Sequence, residues 1–133
     1  MNSIPGTISH IDAADGLSII TVDVYDGRIS AIVIDTPDTA DYIRIGNQVN
    51  ALIKETEIII GLGLDPGVSV RNKLKCRISQ IERGNLLSKV QLSFNGADLH
   101  SIIPSSAIDD LNLVEEMDVV ALVKINEVML EHD

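Results

Sequence analysis

The chain states one pattern twice, 70 residues apart. Ile8-Ser9 and Ile11 return as Ile78-Ser79 and Ile81, Leu17-Ser18 as Leu87-Ser88, Val49 as Val119, and Ala51-Leu52-Ile53-Lys54 as Ala121-Leu122-Val123-Lys124, all at the same offset of 70. A fixed period is the signature of tandem structural units. The 133 residues therefore divide into a first unit over 1–62, a linker over 63–68 and a second unit over 69–133. Gly61-Leu62-Gly63-Leu64-Asp65-Pro66-Gly67 supplies the break. No amphipathic helix follows it, so it is not a dinucleotide-binding fingerprint. A unit of about 60–65 residues buries a limited core and is marginal alone. The copies are expected to pack on each other or on other chains.

Apolar residues make up 45% of the chain, yet there are only two Tyr, one Phe and no Trp. The core must then be Ile, Val and Leu, which favour strands where they alternate with polar residues. Alternation is clean at Ile20-Val22-Val24 and Val90-Leu92-Phe94. Asp26-Gly27 and Asn95-Gly96 are hairpin dipeptides, because Gly accepts the positive φ of such turns. First strands are predicted over Ile4 to Ile11 and Leu74 to Ile81, second strands over Ser18 to Tyr25 and Ser88 to Phe94, and third strands over Arg28 to Ile34 and Asp98 to Ile103. A short helix follows in each copy, at Thr36-Pro37-Asp38 and after Ser105-Ser106, with Pro37 suited to the first helical position. Fourth strands run over Gln48 to Lys54 and Val119 to Lys124, and fifth strands over Glu57 to Ile60 and Glu127 to Leu130. The fold class is all-β: two tandem OB-like five-stranded antiparallel barrels, each with a short helix before the fourth strand. A five-stranded SH3-like barrel is the structural competitor.

The chain carries 20 acids against 10 bases, a net charge of −10. Such a chain is repelled by nucleic acid and anionic membranes, and it lacks the stacking aromatics that single-strand binding needs. No apolar run reaches the length of a membrane span, and the N-terminus lacks a secretory signal, so a cytoplasmic protein is expected. The single Cys76 excludes an internal disulfide or a Cys-based metal cluster. His10, His100 and His132 have no metal-ligand spacing, and no nucleophile elbow is present. The chain is read as a binding protein rather than an enzyme, with no protein-held metal.

The bases are not evenly spread. Arg71, Lys73, Lys75, Arg77, Arg83 and Lys89 form an island opposed only by Glu82. This is either a set of solvated side chains or an anion site. Ser69 and Arg71 are spaced i, i+2 and would share one side of an extended segment. A hydroxyl and a guanidinium fork match a tetrahedral oxyanion, and the N–H groups of Val70 and Asn72 add donors. Lys124 and its equivalent Lys54 place a base at the same strand end of both copies, as a ligand or as a solvated Lys.

Ser69-Val70-Arg71-Asn72-Lys73-Leu74 resembles the S-A-R-N-x-L opening of the molybdate-binding Mop domain, also called the TOBE domain. Ile78-Ser79-Gln80-Ile81-Glu82-Arg83-Gly84 resembles that family's I-x-x-I-x-x-G turn. Ala121-Leu122-Val123-Lys124 followed by Glu127-Val128-Met129-Leu130 resembles its ending, and the first copy fits the same template at Ile4 to Ile11 and Ala51 to Lys54. The tandem arrangement is similar to molbindins with two fused units and to the di-Mop part of molybdate-responsive regulators and transporter ATPases.

The resemblance implies binding of molybdate or tungstate at interfaces between Mop units, with no organic cofactor. The implied ligands are Ser69, Val70 through its N–H, Arg71, Asn72 and Lys124, with Lys54 as the first-copy equivalent. The start of the short helix adds Ser105 and Ser106, or Thr36 in the first copy, where free N–H groups favour an anion. Storage, buffering or homeostasis of the oxyanion is the implied role. The alternatives are a sensing or accessory module of a regulator or transporter, and an interaction module that has lost its site. The start at Met1, with no helix-turn-helix or ATPase part, favours the stand-alone version. A homo-oligomer is implied, a trimer ahead of a dimer. The chain departs from the family where Met1 stands in the position of Arg71 in the first copy, where Glu55 or Ile125 follows the Lys, where Pro104 replaces a hydroxyl residue, and where Glu116 replaces a turn Gly that Gly46 keeps.

Overall fold

A computed structural model describes residues 1–25, 27–63 and 65–133. Asp26 of the expected second hairpin turn and Leu64 of the linker lie outside the described residues. Among the described residues the strands are β1 (Asn2–Ala14), β2 (Leu17–Val24), β3 (Gly27–Val33), β4 (Gln48–Ile53), β5 (Ile59–Gly61), β6 (Asn72–Glu82), β7 (Leu87–Phe94), β8 (Ala97–Pro104), β9 (Asp118–Val123) and β10 (Val128–Glu131), with one α-helix, α1 (Ser105–Leu111). All pairings are antiparallel. The alternating runs point inward as their spacing requires: Ile20, Val22 and Val24 in one unit and Val90, Leu92 and Phe94 in the other are at most 3% exposed.

Strand order is β10-β4-β1-β2-β3 in one sheet and β5-β9-β6-β7-β8 in the other. In each, the first strand of the repeat lies between the second and the fourth, and the last strand also touches the third, β10 against β3 and β5 against β8. That order is the OB barrel and removes the SH3-like competitor. β1 and β6 each serve two partners, and a bulge between Ile8 and His10, or Ile78 and Gln80, lets them do so. At the bulge Ile8 N–H donates to Asn47 O at 2.8 Å and Ile78 N–H to Met117 O at 2.9 Å, so the extra residue re-aims the strand while its backbone stays satisfied.

The compact units differ from the sequence repeats by one element each. One unit comprises Met1–Ile53 with Lys124–Asp133, the other Lys54–Val123. The fifth strand of each repeat is therefore donated to the other repeat's barrel. After β4 and after β9 the chain makes a short 3-10 turn, Glu55–Glu57 or Ile125–Glu127, and leaves for the other sheet. The stretch at Thr36 closes only a turn, with Thr39 and Ala40 N–H both donating to Thr36 O at 3.0 Å, whereas its counterpart forms α1.

Candidate functional site

The segment 69–72 lies immediately before β6 within the unit Lys54–Val123. It is not the regular extended stretch expected, because the chain bends at Ser69 and again at Arg71, so the i, i+2 argument for a shared side does not apply. Ser69 and Arg71 are exposed, Val70 is half-buried and Asn72 is buried. Asn72 opens the β6–β9 ladder opposite Val123, as Asn2 opens the β1–β4 ladder opposite Ile53. Both asparagines are nearly inaccessible, at 1% and 4%. What this position holds in common in the two copies is therefore a buried strand-opening amide, and what distinguishes them is the residue before it, Arg71 or Met1.

Lys124 and Lys54 follow Val123 and Ile53 directly. Both are extended, and each carbonyl accepts the N–H that closes the following 3-10 turn, from Glu127 and Glu57 at 3.0 Å. Both side chains are exposed. Ion pairs occupy half of the ten bases: Arg28–Asp23, Arg44–Asp41, Lys73–Asp65, Arg77–Asp118 and Arg83–Asp109. Among the described residues the other five, Lys54, Arg71, Lys75, Lys89 and Lys124, make none. Three of these five flank strands at related places: Lys54 follows β4, Lys124 follows β9 and Arg71 precedes β6.

The short-helix residues divide. Ser105 is buried; its hydroxyl donates to Gly84 O at 2.8 Å and meets Ser88 Oγ at 2.7 Å, while its N–H donates to Leu86 O at 2.8 Å. Its hydrogen-bonding groups are thus committed to the β6–β7 turn. Thr36 N–H is likewise occupied by Thr39 Oγ1 at 2.8 Å. Ser106 is exposed at the second residue of α1.

Lys73, one of the basic island, was not singled out by the sequence. Its Nζ donates to Pro66 O at 3.0 Å and to Asp65 Oδ1 at 3.3 Å, which ties the linker back onto β6 around residues 69–72. No residue-type pattern announces this, because the contact joins a strand to an irregular loop. Arg83 is also structural: its fork grips Asp109 of α1 at 2.9 and 2.7 Å and holds that carboxyl below its ordinary value.

A cleft of about 720 Å³ in the unit containing β1 is lined by Asp23, Glu131 and Asp133, the wrong sign for an anion, and by none of the expected ligands. Among the described residues no three His, Cys, Asp or Glu side chains are grouped to hold a metal ion, and no helix is long and apolar enough to cross a membrane.

Residues 68–130 match the TOBE domain family. The chain is 30% identical over 132 residues to the molybdenum transport protein ModE of Herbaspirillum seropedicae, covering 97% of this chain and 49% of that protein. The chain thus spans about half the length of that relative. It is 33% identical over 64 residues to molybdenum-pterin-binding protein 3 of Clostridium pasteurianum, covering 47% of this chain and 94% of that protein. The molybdate-bound structure of the cytoplasmic molybdate-binding protein ModG superposes with a TM-score of 0.90 at 21% identity, over 99% of this chain and 96% of that one. At that identity the likeness is one of fold.

Proposed function

The chain belongs to the TOBE domain family, with two units in tandem, and from that membership and the exposed segment Ser69–Arg71 we propose that it binds a group 6 oxyanion, molybdate or tungstate, reversibly. The family is one of binding domains rather than enzymes, and the reading needs no bond to be made or broken. A tetrahedral dianion is held by the Arg71 guanidinium, the Ser69 hydroxyl and the backbone N–H of Val70, with Asn72 anchoring the segment at the start of β6 and a lysine ammonium, Lys124 or Lys54, completing the shell. Ser106 is a further candidate donor; Ser105 and Thr36 have their donors engaged elsewhere. Sulfate has the same charge and shape, so discrimination rests on cavity size.

The observation that carries the reading is a contiguous Ser-x-Arg-Asn segment whose Arg71 is exposed and unpaired among the described residues of an acidic chain. The relatives named for molybdenum transport and molybdenum-pterin binding support the same ligand. The first copy has Met1 in place of Arg71, so it contributes a lysine but no Ser-x-Arg segment, and one complete site per chain is the expectation. Sites lie at interfaces between units of a homo-oligomer, a trimer ahead of a dimer. The role is cytoplasmic storage or buffering of the oxyanion. A second reading, a sensing or accessory module of a longer protein, is favoured by the match to half of the ModE relative.

Titration calorimetry with molybdate, tungstate and sulfate tests this. Heat with molybdate or tungstate but not sulfate, abolished by Arg71→Ala, is the expected result. No heat and no thermal shift with any of the three removes the oxyanion reading and leaves an interaction module on the same fold.

A further inference from the structure

We propose that Lys73 is a positioning residue of this site, clamping the loop that carries Ser69 and Arg71; the inference rests on reading residues 69–72 as the anion-binding segment. Lys73 is the second residue of β6 and faces outward. Its ammonium reaches back to Pro66 O at 3.0 Å and Asp65 Oδ1 at 3.3 Å, closing residues 65–73 into a loop with the Ser-x-Arg-Asn segment inside it. A second tie, Val68 N–H to Pro66 O at 3.0 Å, tightens the same loop. Between Gly61 and Asn72 no described residue belongs to a strand or helix, so these ties take the place of ladder bonds.

Two physical effects follow. A segment ordered before binding does not lose that freedom when the anion arrives. Asp65 is the acid nearest to Arg71 in the sequence and is exposed; a neighbouring ammonium offsets a carboxylate that would otherwise oppose a dianion. Lys73 is not itself a ligand in this scheme, since its donors are aimed at the loop. The first copy carries Ser3 where the second carries Lys73, and Met1 where the second carries Arg71. The clamp and the cation it would position are missing from the same copy.

The test is titration of the full chain with molybdate, comparing wild type with Lys73→Gln, Lys73→Arg and Lys75→Gln, alongside thermal melting of each. Lys73→Gln is expected to weaken binding about three- to tenfold at an unchanged melting temperature. Lys73→Arg, which keeps both bonds, restores wild-type affinity. Lys75 lies on the same face of β6 and is exposed, so Lys75→Gln removes the same charge without the clamp and leaves affinity unchanged. Undiminished binding by Lys73→Gln, an equal loss in Lys75→Gln, or a melting temperature that falls together with affinity would each overturn the inference. Absence of heat from the wild type overturns the oxyanion reading itself.

Discussion

Glu116 and Gly46 make the same turn in the two copies: Glu116 N–H donates to Ile78 O at 2.7 Å with φ of 70°, and Gly46 N–H donates to Ile8 O at 2.8 Å with φ of 93°. Both bonds satisfy the carbonyl at the bulge of the first strand. The turn thus demands a left-handed residue, and only one copy meets the demand with glycine. A side chain in that region costs about 1–2 kcal/mol, and the extra freedom of an unfolded glycine returns part of the gain. Glu116→Gly is expected to stabilise the protein by about 0.5–1 kcal/mol, read as a rise in the urea midpoint at constant slope. Gly46→Ala should lower the midpoint, since nothing crowds that Cβ and only the φ opposes it.

The exchanged fifth strands make each barrel depend on both halves of the chain. β10 lies along β4 with Val128 opposite Ile53, and Asn50 Nδ2 donates to Glu131 Oε1 at 3.0 Å. Val128 in one unit and Ile58 and Ile60 in the other are buried, each worth about 1.5–3 kcal/mol. That is a large share of the stability of a small unit. Cutting the chain between 62 and 63 should give a residue 1–62 fragment with no cooperative thermal transition as a monomer, recovered on mixing with residues 63–133. A fragment that melts cooperatively alone, at a mass of one copy, contradicts this.

Cys76 faces the core, and burial pushes its thiol up to about 11 from 9.0. The neutral thiol is the form that the fold prefers. The corresponding stability is complete below pH 9 and is lost as pH rises from 9 toward 11. The thiolate is also the reactive species. Native protein at pH 8 should therefore resist a thiol-directed reagent for as long as it stays folded, with one equivalent reacting promptly in denaturant. Rapid modification of the native protein would show that this strand opens far more often than its burial indicates.

Most of the strand pattern was legible because period-two alternation at Ile20-Val22-Val24 and Val90-Leu92-Phe94 has one physical cause, a buried face. The repeat extended that reading to the whole chain. The exchange of β5 and β10 was not legible: a short apolar strand carries no mark of which fourth strand it pairs with, since Leu52 opposite Met129 and Leu122 opposite Ile59 offer equivalent edges. The missing first-copy helix was also hidden, because Thr36-Pro37-Asp38 satisfies a helix start and a turn equally. At the site, Ser-x-Arg-Asn stood out by residue type and by family resemblance. Lys73 did not, because its partners are a backbone carbonyl and an exposed carboxylate in a loop.

Ser105 and Ser106 are adjacent in the sequence and were expected to act alike, but their surroundings assign them different work. Ser105 is buried and links Gly84 O with Ser88 Oγ, whose own oxygen also accepts the Gly84 N–H at 3.3 Å. Removing its hydroxyl leaves buried polar groups without a partner, at a cost of about 1–3 kcal/mol. Ser105→Ala should lower the denaturation midpoint accordingly while leaving oxyanion affinity within about twofold under conditions where the variant is folded. Ser106 is exposed, so Ser106→Ala should leave stability within about 0.5 kcal/mol, and any loss of affinity it shows reports a direct contact. Parallel denaturation and titration of the two variants separates these roles. An affinity loss in Ser105→Ala that exceeds its stability loss would return that hydroxyl to the ligand shell.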